Sequence, residues 1–279
     1  MKIYSIEVVT TSSGGSNKTD LSSNQLAWSP TSATVTIGAA NNSVPALTNT
    51  QNVTVSYSST NTNVATINAS TGAITLVKGG TTEIKATFAG NATYNSKEVK
   101  YTLTVNKPTI EGGIVDELTS ATFTSTGSYA AFSNKQGNGN NHSSAKYAGK
   151  SNRNGNSTKY NIQLNKINAS GNPSGSQIST TNSGGLARRV EVTWATQTDN
   201  TASRYLTVYG QNDEAYSGTA TSTSGTEIGT ITYVANATGD YLDIAADYKY
   251  IQIVASDPIY MDEIDITWVP ALYTLTYEA

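Results

Sequence analysis

The chain has 279 residues, of which 37% are hydrophobic and 13% are charged, and its formal net charge is −3. Globular domains carry about 25% charged residues, so Ser, Thr, Asn and Gly must supply much of the surface. The small net charge gives no basis for binding nucleic acid or for insertion into an acidic membrane. The lack of cysteine and the single histidine exclude disulfides, thiolate metal sites and histidine clusters.

Residues 1–21 begin with a short alternating segment, MKIYSIEVV, and continue as a Ser/Gly-rich stretch. The apolar run of a signal peptide, roughly 7–15 residues, is absent, and no run approaches the ~20 apolar residues of a transmembrane helix. We expect an extra edge strand with a linker, or an arm that pairs with a neighbouring subunit. We favour Met1 as the native start, in which case the protein is not exported by the usual route.

Residues 22–106 alternate between short apolar-patterned segments and turn residues. Ile84, Ala86 and Phe88 share one side of a period-two pattern, as expected for a half-buried strand. Ser70-Thr71-Gly72 and Lys78-Gly79-Gly80 predict turns on either side of a strand at Ala73–Val77. Trp28 is expected in the core or as a lid on one end of the domain.

Between about Leu26 and Val105, strand and turn segments follow one another in a characteristic order. They are Tyr57–Asn61, Val64–Ile67, Ser70–Gly72, Gly79–Thr82 and Tyr101–Val105. This succession resembles the group 2 bacterial immunoglobulin-like domain, the module of intimin and invasin. The resemblance implies a β-sandwich that serves display or adhesion and is not an enzyme.

Residues 107–113, with one proline and paired glycines, are predicted as a linker. Residues 114–270 follow as a second domain, and no amphipathic helix of useful length occurs in the chain. We therefore predict an all-β protein built from two tandem β-sandwiches. Residues 271–279 repeat a Tyr-Thr-Leu-Thr strand pattern without a partner in their own domain. They are a piece of a further domain, a frayed tail, or a strand that docks on another subunit.

Seven segments of the second domain carry a further resemblance. They are Val115–Thr119, Tyr147–Ser151, Gly184–Trp194, Leu206–Gly210, Thr226–Gly229, Tyr248–Ile251 and Tyr260–Ile264. With these segments the second domain is similar to a jelly-roll, galactose-binding-like domain of surface proteins from gut Bacteroidota. That resemblance implies binding to glycans or surfaces, although such folds carry many functions.

Acidic residues offer one candidate metal site. Asp262 shares parity with Ile264 and the following core positions, so it is expected to point towards the core. The favoured explanation is a carboxylate satisfied by backbone amides at a turn. The alternative is a structural calcium ion, which similar jelly rolls hold near their last strand and which prefers oxygen ligands. Asp116 and Glu117 would complete that site if the first and last strands pair. No other cofactor is expected.

Tyrosine is the abundant aromatic, with 17 residues against three Trp and three Phe. Tyr205 and Tyr209 fall on one side of a strand whose other side is apolar, and Tyr248 and Tyr250 follow the same pattern. Cross-strand tyrosine pairs stabilise sheets by roughly 0.2–1 kcal/mol each, which is one explanation. The alternative is a binding face that stacks on sugar rings or enters a protein interface.

No activated nucleophile, metal cluster or carboxylate pair can be assembled, so we predict a protein that is not an enzyme. We predict an auxiliary virion protein of a bacteriophage of gut bacteria. Three expectations favour this role: two sandwiches of adhesive type, an amino terminus without an export signal, and terminal strands that lack a partner at both ends of the chain. The protein would decorate the capsid, sit on the virion surface, contact capsid subunits or its own copies through the terminal strands, and hold glycans. The alternative is a carbohydrate-binding or adhesin segment of a secreted or cell-surface bacterial protein.

Overall fold

The computed structural model describes residues 18–123, 129–155, 160–166, 176–196, 198, 203–218, 223–234 and 239–271. The chain divides into two compact units, with the boundary between Thr109 and Ile110. In the described residues, regular structure is β-strand apart from one 3-10 turn at Ser120–Thr122. No helix among them is long and apolar enough to cross a membrane. The predicted all-β class is confirmed, whereas the finer domain limits stay predictions. The terminal segments 1–17 and 272–279 lie outside the described residues.

The described residues of unit 1 form a small sandwich of eight strands. They are β1 (Leu26–Ser29), β2 (Ser32–Thr36), β3 (Ala46–Asn49), β4 (Ser56–Ser59), β5 (Ala65–Ile67), β6 (Ile74–Leu76), β7 (Gly80–Phe88) and β8 (Lys97–Asn106). A four-stranded sheet in the order β2-β8-β7-β4 faces the pairs β1-β3 and β5-β6. β2 runs parallel to β8, and the other pairs are antiparallel.

The core of unit 1 follows the predicted alternation. Ile84, Ala86 and Phe88 are buried on one side of β7, as the period-two pattern requires. Trp28 is partly buried, and its ring meets that of Tyr101 edge-on with 4.9 Å between centroids. The buried side chains of unit 1 form two apolar clusters, one that contains Ile84 and Tyr101 and one that contains Leu26 and Phe88.

Eleven strands occur among the residues of unit 2 that the structure describes. They are β9 (Ile114–Thr119), β10 (Ala130–Lys135), β11 (Lys146–Gly155), β12 (Tyr160–Leu164), β13 (Gln177–Asn182), β14 (Leu186–Trp194), β15 (Tyr205–Gln211), β16 (Thr226–Thr232), β17 (Asp240–Asp243), β18 (Tyr250–Ala255) and β19 (Ile259–Val269).

These strands form two layers, which we call the front and back sheets. The front sheet has the order β16-β15-β18-β13-β11-β10. In the back sheet, β19 lies between β14 on one side and both β9 and β12 on the other, with β17 beyond β14. β11 joins the layers, because Lys146–Lys150 pair with β13 whereas Asn152–Gly155 pair with β12. Trp268, Tyr147 and Leu206 are among the fully buried side chains between the sheets.

A β-bulge in β19 decides which of its side chains face the core. Thr193 pairs with Glu263, but the next residue, Trp194, pairs with Met261, so Asp262 is the extra residue. Met261 and Ile264 are consequently both buried, whereas Asp262 is only partly buried. The prediction that Asp262 points towards the core is wrong, because the bulge breaks the alternation on which it rests.

Candidate ligand-binding surface

Two of the predicted tyrosines lie on neighbouring strands on the outer face of the front sheet, the face that points away from the core. Tyr209 on β15 lies opposite Gln252, and Tyr250 on β18 lies opposite Gln211. The two tyrosines are therefore diagonal cross-strand neighbours, about 7–8 Å apart, within contact range for aromatic side chains. Both are partly exposed. We call Tyr209, Tyr250, Gln211 and the facing Glu227 of β16 the tyrosine surface.

The other two predicted tyrosines lie elsewhere. Tyr205 shares the face of Tyr209 but sits four residues away, about 13 Å along the strand, and is 38% exposed. Tyr248 precedes β18 and packs inward: a Cβ added at Gly210 would come within 2.5 Å of its ring. Tyr248 does not share a face with the other three, because the strand alternation begins only at Tyr250.

Two described parts of the loop between β15 and β16, residues 212–218 and 223–225, lie against the sheet beside the tyrosine surface. The amide of Tyr216 donates to the carbonyl of Thr180 at 3.1 Å, and the amide of Ser224 donates to Oε1 of Gln252 at 3.3 Å. Burial raises the pKa of the Tyr216 phenol well above its usual range. These described parts of the loop are thus hydrogen-bonded to the sheet close to Tyr209, which pairs with Gln252.

The same loop explains a buried polar layer on an outward face. Gln177, Ser179 and Gln252 occupy outward positions of β13 and β18, yet each is 1% exposed or less. Nε2 of Gln252 donates to Oε1 of Gln177, so the two amides satisfy each other beneath the loop. Local alternation alone would place all three in solvent.

A cleft of about 460 Å³ opens where the loop meets β10 and β11. Lys135 is the charged residue among those that line it. Gly149 in its floor has φ +157°, and a Cβ there would lie 2.0 Å from the carbonyl oxygen of Gln177. The close approach of two backbones therefore requires glycine. The lining residues are Ala131, Phe132, Ser133, Lys135, Ala148, Gly149, Ser217 and Gly218.

Asp116, one of the three predicted calcium ligands, is completely buried in a hydrogen-bonded network. Its carboxylate accepts from the amide of Ser143 at 2.6 Å, from Oγ of Ser143 at 2.7 Å and from the hydroxyl of Tyr147 at 2.5 Å. Nε1 of Trp268 donates to the same Tyr147 oxygen at 2.9 Å. Burial and the adjacent Asp116 charge raise the pKa of Tyr147 well above its usual range. The network pins the segment around Ser143 to the core.

The structure does not bring the three predicted calcium ligands together. Asp116 lies opposite Ile266, four residues and about 13 Å along β19 from Asp262. Glu117 points to the opposite side of the sheet, opposite Asp265, and Asp262 accepts a hydrogen bond from Asn161. No group of three acidic or histidine residues with metal-binding geometry occurs among the described residues. These side chains do not form the predicted site, because strand pleating and register separate them.

A row of carboxylates crosses the outer face of the back sheet. Asp265 on β19 lies between Glu117 on β9 and Glu191 on β14, both directly opposite it. Burial raises the pKa of Asp265 to about 7, and hydrogen bonding with Glu263 and the charges of Glu263, Glu191 and Glu117 add to the increase. Sequence reasoning missed this row, because its members come from three distant strands. The one signal in the sequence was that each of these carboxylates falls on the outward-facing side of its strand's alternation.

Comparison with known proteins identifies no family for the chain: no protein-family model matches it, and no curated protein matches it. Two solved structures of CBM51-2 and INT domains from Clostridium perfringens ZmpB, one in complex with GlcNAc, are 11% identical to it with a TM-score of 0.28. The match covers 85% of this chain and 47% of each of those chains, so it spans about half their length.

A two-domain protein of unknown function from Bacteroides fragilis is also 11% identical, with a TM-score of 0.17 and coverage of 76% of this chain and 63% of that one. The fold assignment rests on the chain's own sheets and cores. Membership of the immunoglobulin-like and galactose-binding-like families stays a prediction.

Proposed function

We propose that the chain is a carbohydrate-binding adhesion module that acts outside the bacterial cell by binding and not by catalysis. The observation that carries this proposal is the tyrosine surface, where Tyr209 and Tyr250 are diagonal neighbours on a solvent-facing sheet. Rigid tyrosine rings present a large contact area at little entropic cost. They suit the apolar face of a sugar ring.

The polar members of the tyrosine surface match the hydroxyl groups of a sugar. Gln211 lies opposite Tyr250, and Nε2 of Gln211 donates to the carbonyl of Glu214 at 2.8 Å, which fixes the side chain. Glu227 lies opposite Tyr209 and is exposed. An amide oxygen and a carboxylate both accept hydrogen bonds from hydroxyls. Ligand sites usually combine an apolar surface with a few polar groups in fixed positions.

A binding role also agrees with the raised pKa values of the buried tyrosine hydroxyls. General acid–base catalysis works best when a group has a pKa near the operating pH. Burial moves the pKa values of Tyr147 and Tyr216 away from neutrality, and it raises those of Tyr101 and Tyr129 to about 12. Such hydroxyls are hydrogen-bonding and packing groups. Asp265 has a pKa near 7 but lies on a sheet face and lines none of the clefts described here.

The double substitution Tyr209→Ser and Tyr250→Ser tests the proposal, with Tyr205→Ser as the matched control. Tyr205 lies on the same face and strand but outside the tyrosine surface. We expect the full-length double variant to lose at least one glycan that the parent binds on an array, and Tyr205→Ser to bind the same glycans as the parent. Both should keep the parent's thermal melting profile. Equal binding by the double variant and the parent, or no glycan bound by the parent, would reject the proposal.

The virion-decoration role stays a prediction. It depends on the terminal segments and on the start of the chain, and these segments lie outside the described residues. A particle preparation that contains the chain would support that role, whereas a gene that continues upstream into a signal sequence would support display on the bacterial cell surface.

A further inference from the structure

Unit 1 has a cleft of its own, of about 410 Å³, on the side where two turns meet. One turn contains Gln51 and Asn52 and follows β3, and the other contains Asn91 and Tyr94 and lies between β7 and β8. Phe88 and Val53, which are 4% and 8% exposed, belong to the core beneath it. The lining residues are Gln51, Asn52, Val53, Thr54, Phe88, Ala89, Gly90, Asn91 and Tyr94.

The first wall of this cleft is held by a side chain outside it. Asn49 bridges the turn at both ends: its Oδ1 accepts from the amide of Val53 at 3.0 Å, and its Nδ2 donates to the carbonyl of Val53 at 2.8 Å. The amide of Asn52 donates to the carbonyl of Asn49 at 3.2 Å. Asn52 has φ +51°, a left-handed conformation that asparagine tolerates. The turn therefore has one fixed shape.

The second wall is equally fixed. Oδ1 of Asn91 accepts from the amides of Thr93 and Tyr94 at 2.9 and 2.8 Å. The segment before unit 1's first strand also pins this turn, because Thr19 exchanges hydrogen bonds with Thr93 and Asn95 at 2.9 and 3.0 Å. The hydroxyl of Tyr94 donates to Oε1 of Gln51 at 2.9 Å and ties the two walls together. A cleft shaped before binding costs less entropy when a ligand enters.

The side-chain groups of the cleft that remain available to bind a ligand are amide groups. The Oδ1 of Asn91 and the Oε1 of Gln51 already accept within unit 1. Within the described part of the chain, Nδ2 of Asn91, Nε2 of Gln51 and the Asn52 side chain have no hydrogen-bond partner. No lining residue carries a charge. The cleft thus combines the partly buried ring of Tyr94 with several unused amide donors.

From this combination we infer that unit 1 binds a neutral, hydroxyl-rich ring, the terminal sugar of an uncharged glycan. The ring of Tyr94 and the apolar floor take the C–H face of such a ring, and the amides of Gln51, Asn52 and Asn91 take its hydroxyls. None of the described residues that line the cleft is a cation with which an acidic sugar could pair, and desolvating the charge of such a sugar would be costly. The inference does not rest on the tyrosine surface of unit 2.

Two substitutions remove a donor but keep the acceptor that shapes the cleft. Gln51→Glu retains the oxygen that accepts from Tyr94, and Asn91→Asp retains the oxygen that closes its turn. The matched control is Gln25→Glu, because Oε1 of Gln25 likewise accepts hydrogen bonds, from the amide and hydroxyl of Ser22, outside the cleft. All three changes add one negative charge to unit 1.

The measurement is an NMR titration of the full chain with N-acetylglucosamine, galactose, mannose and glucuronate. At least one neutral sugar should shift the Asn91, Gln51 and Tyr94 signals, and glucuronate should not. Each donor-removing variant should weaken that binding about 3- to 10-fold, the loss expected for one hydrogen bond of ordinary strength, whereas Gln25→Glu and Tyr209→Ser/Tyr250→Ser should leave it unchanged.

Three results would overturn the inference. They are unchanged cleft signals with every neutral sugar, equal shifts with glucuronate, and a loss of affinity in Gln25→Glu as large as in the cleft variants. Failure of the unit 2 proposal shows separately, because in the NMR titration it concerns the signals of Tyr209 and Tyr250 and not those of the unit 1 cleft.

Discussion

Replacing Asp265 by Asn should stabilise unit 2 at pH 8 and have little effect at pH 4. The Asp265 carboxyl lies in a row with Glu117 and Glu191, and one of its oxygens is buried without a hydrogen-bond partner. Burial and the neighbouring carboxylates raise the pKa of Asp265 from 3.8 to about 7. Between these two pH values the folded protein therefore holds a proton on Asp265 that the unfolded chain has released. The free energy of unfolding therefore falls as pH rises from about 4 to about 7 and then levels off.

The size of the effect follows from those two pKa values. Each unit by which they differ is worth about 1.36 kcal/mol, which gives a ceiling of about 4 kcal/mol for 3.8 against about 7. Asp265 is only partly buried, and water screens its neighbours on the open sheet face. We therefore expect Asp265→Asn to gain about 1–2 kcal/mol at pH 8 after discounting for solvent. The gain should vanish towards pH 4.

Urea unfolding at pH 4.5, 6 and 8 measures this difference. In a Trp28→Phe background, fluorescence reports on Trp194 and Trp268, which are both buried in unit 2. The exposed Glu214→Gln serves as the control for removing a carboxylate away from the row. A gain for Asp265→Asn that does not change between pH 4.5 and 8, or no gain at pH 8, would refute the reasoning.

Two further predictions concern stability. Asp116→Ala should lower the free energy of unfolding by about 3–5 kcal/mol, because three donors from Ser143 and Tyr147 lose their buried acceptor. Thermal melting measures this loss of stability, and a loss below about 1 kcal/mol would contradict the prediction. Gly149→Ala should cost about 3 kcal/mol or more, because its Cβ would lie 2.0 Å from a carbonyl oxygen. Gly139→Ala, at φ +83° with no atom within 4 Å of the added Cβ, should cost only about 1–2 kcal/mol; equal losses in the two glycine variants would argue against backbone crowding.

The sequence by itself determined the strand content and much of the local burial. Alternation at Ile84, Ala86 and Phe88 predicted the buried side of β7, because side-chain direction in a regular strand depends only on residue parity. The same rule placed Tyr205 and Tyr209 on one outward face. It failed at Asp262 and at Tyr248, where a bulge and a strand limit interrupt the alternation.

Only the tertiary structure decided which distant residues meet. The diagonal placement of Tyr209 and Tyr250 depends on the register between β15 and β18, and the carboxylate row depends on three strands being paired in register. Burial of Gln252 depends on a loop that folds back over the sheet. Register and loop placement result from packing across the whole domain, so no local pattern of residues can specify them.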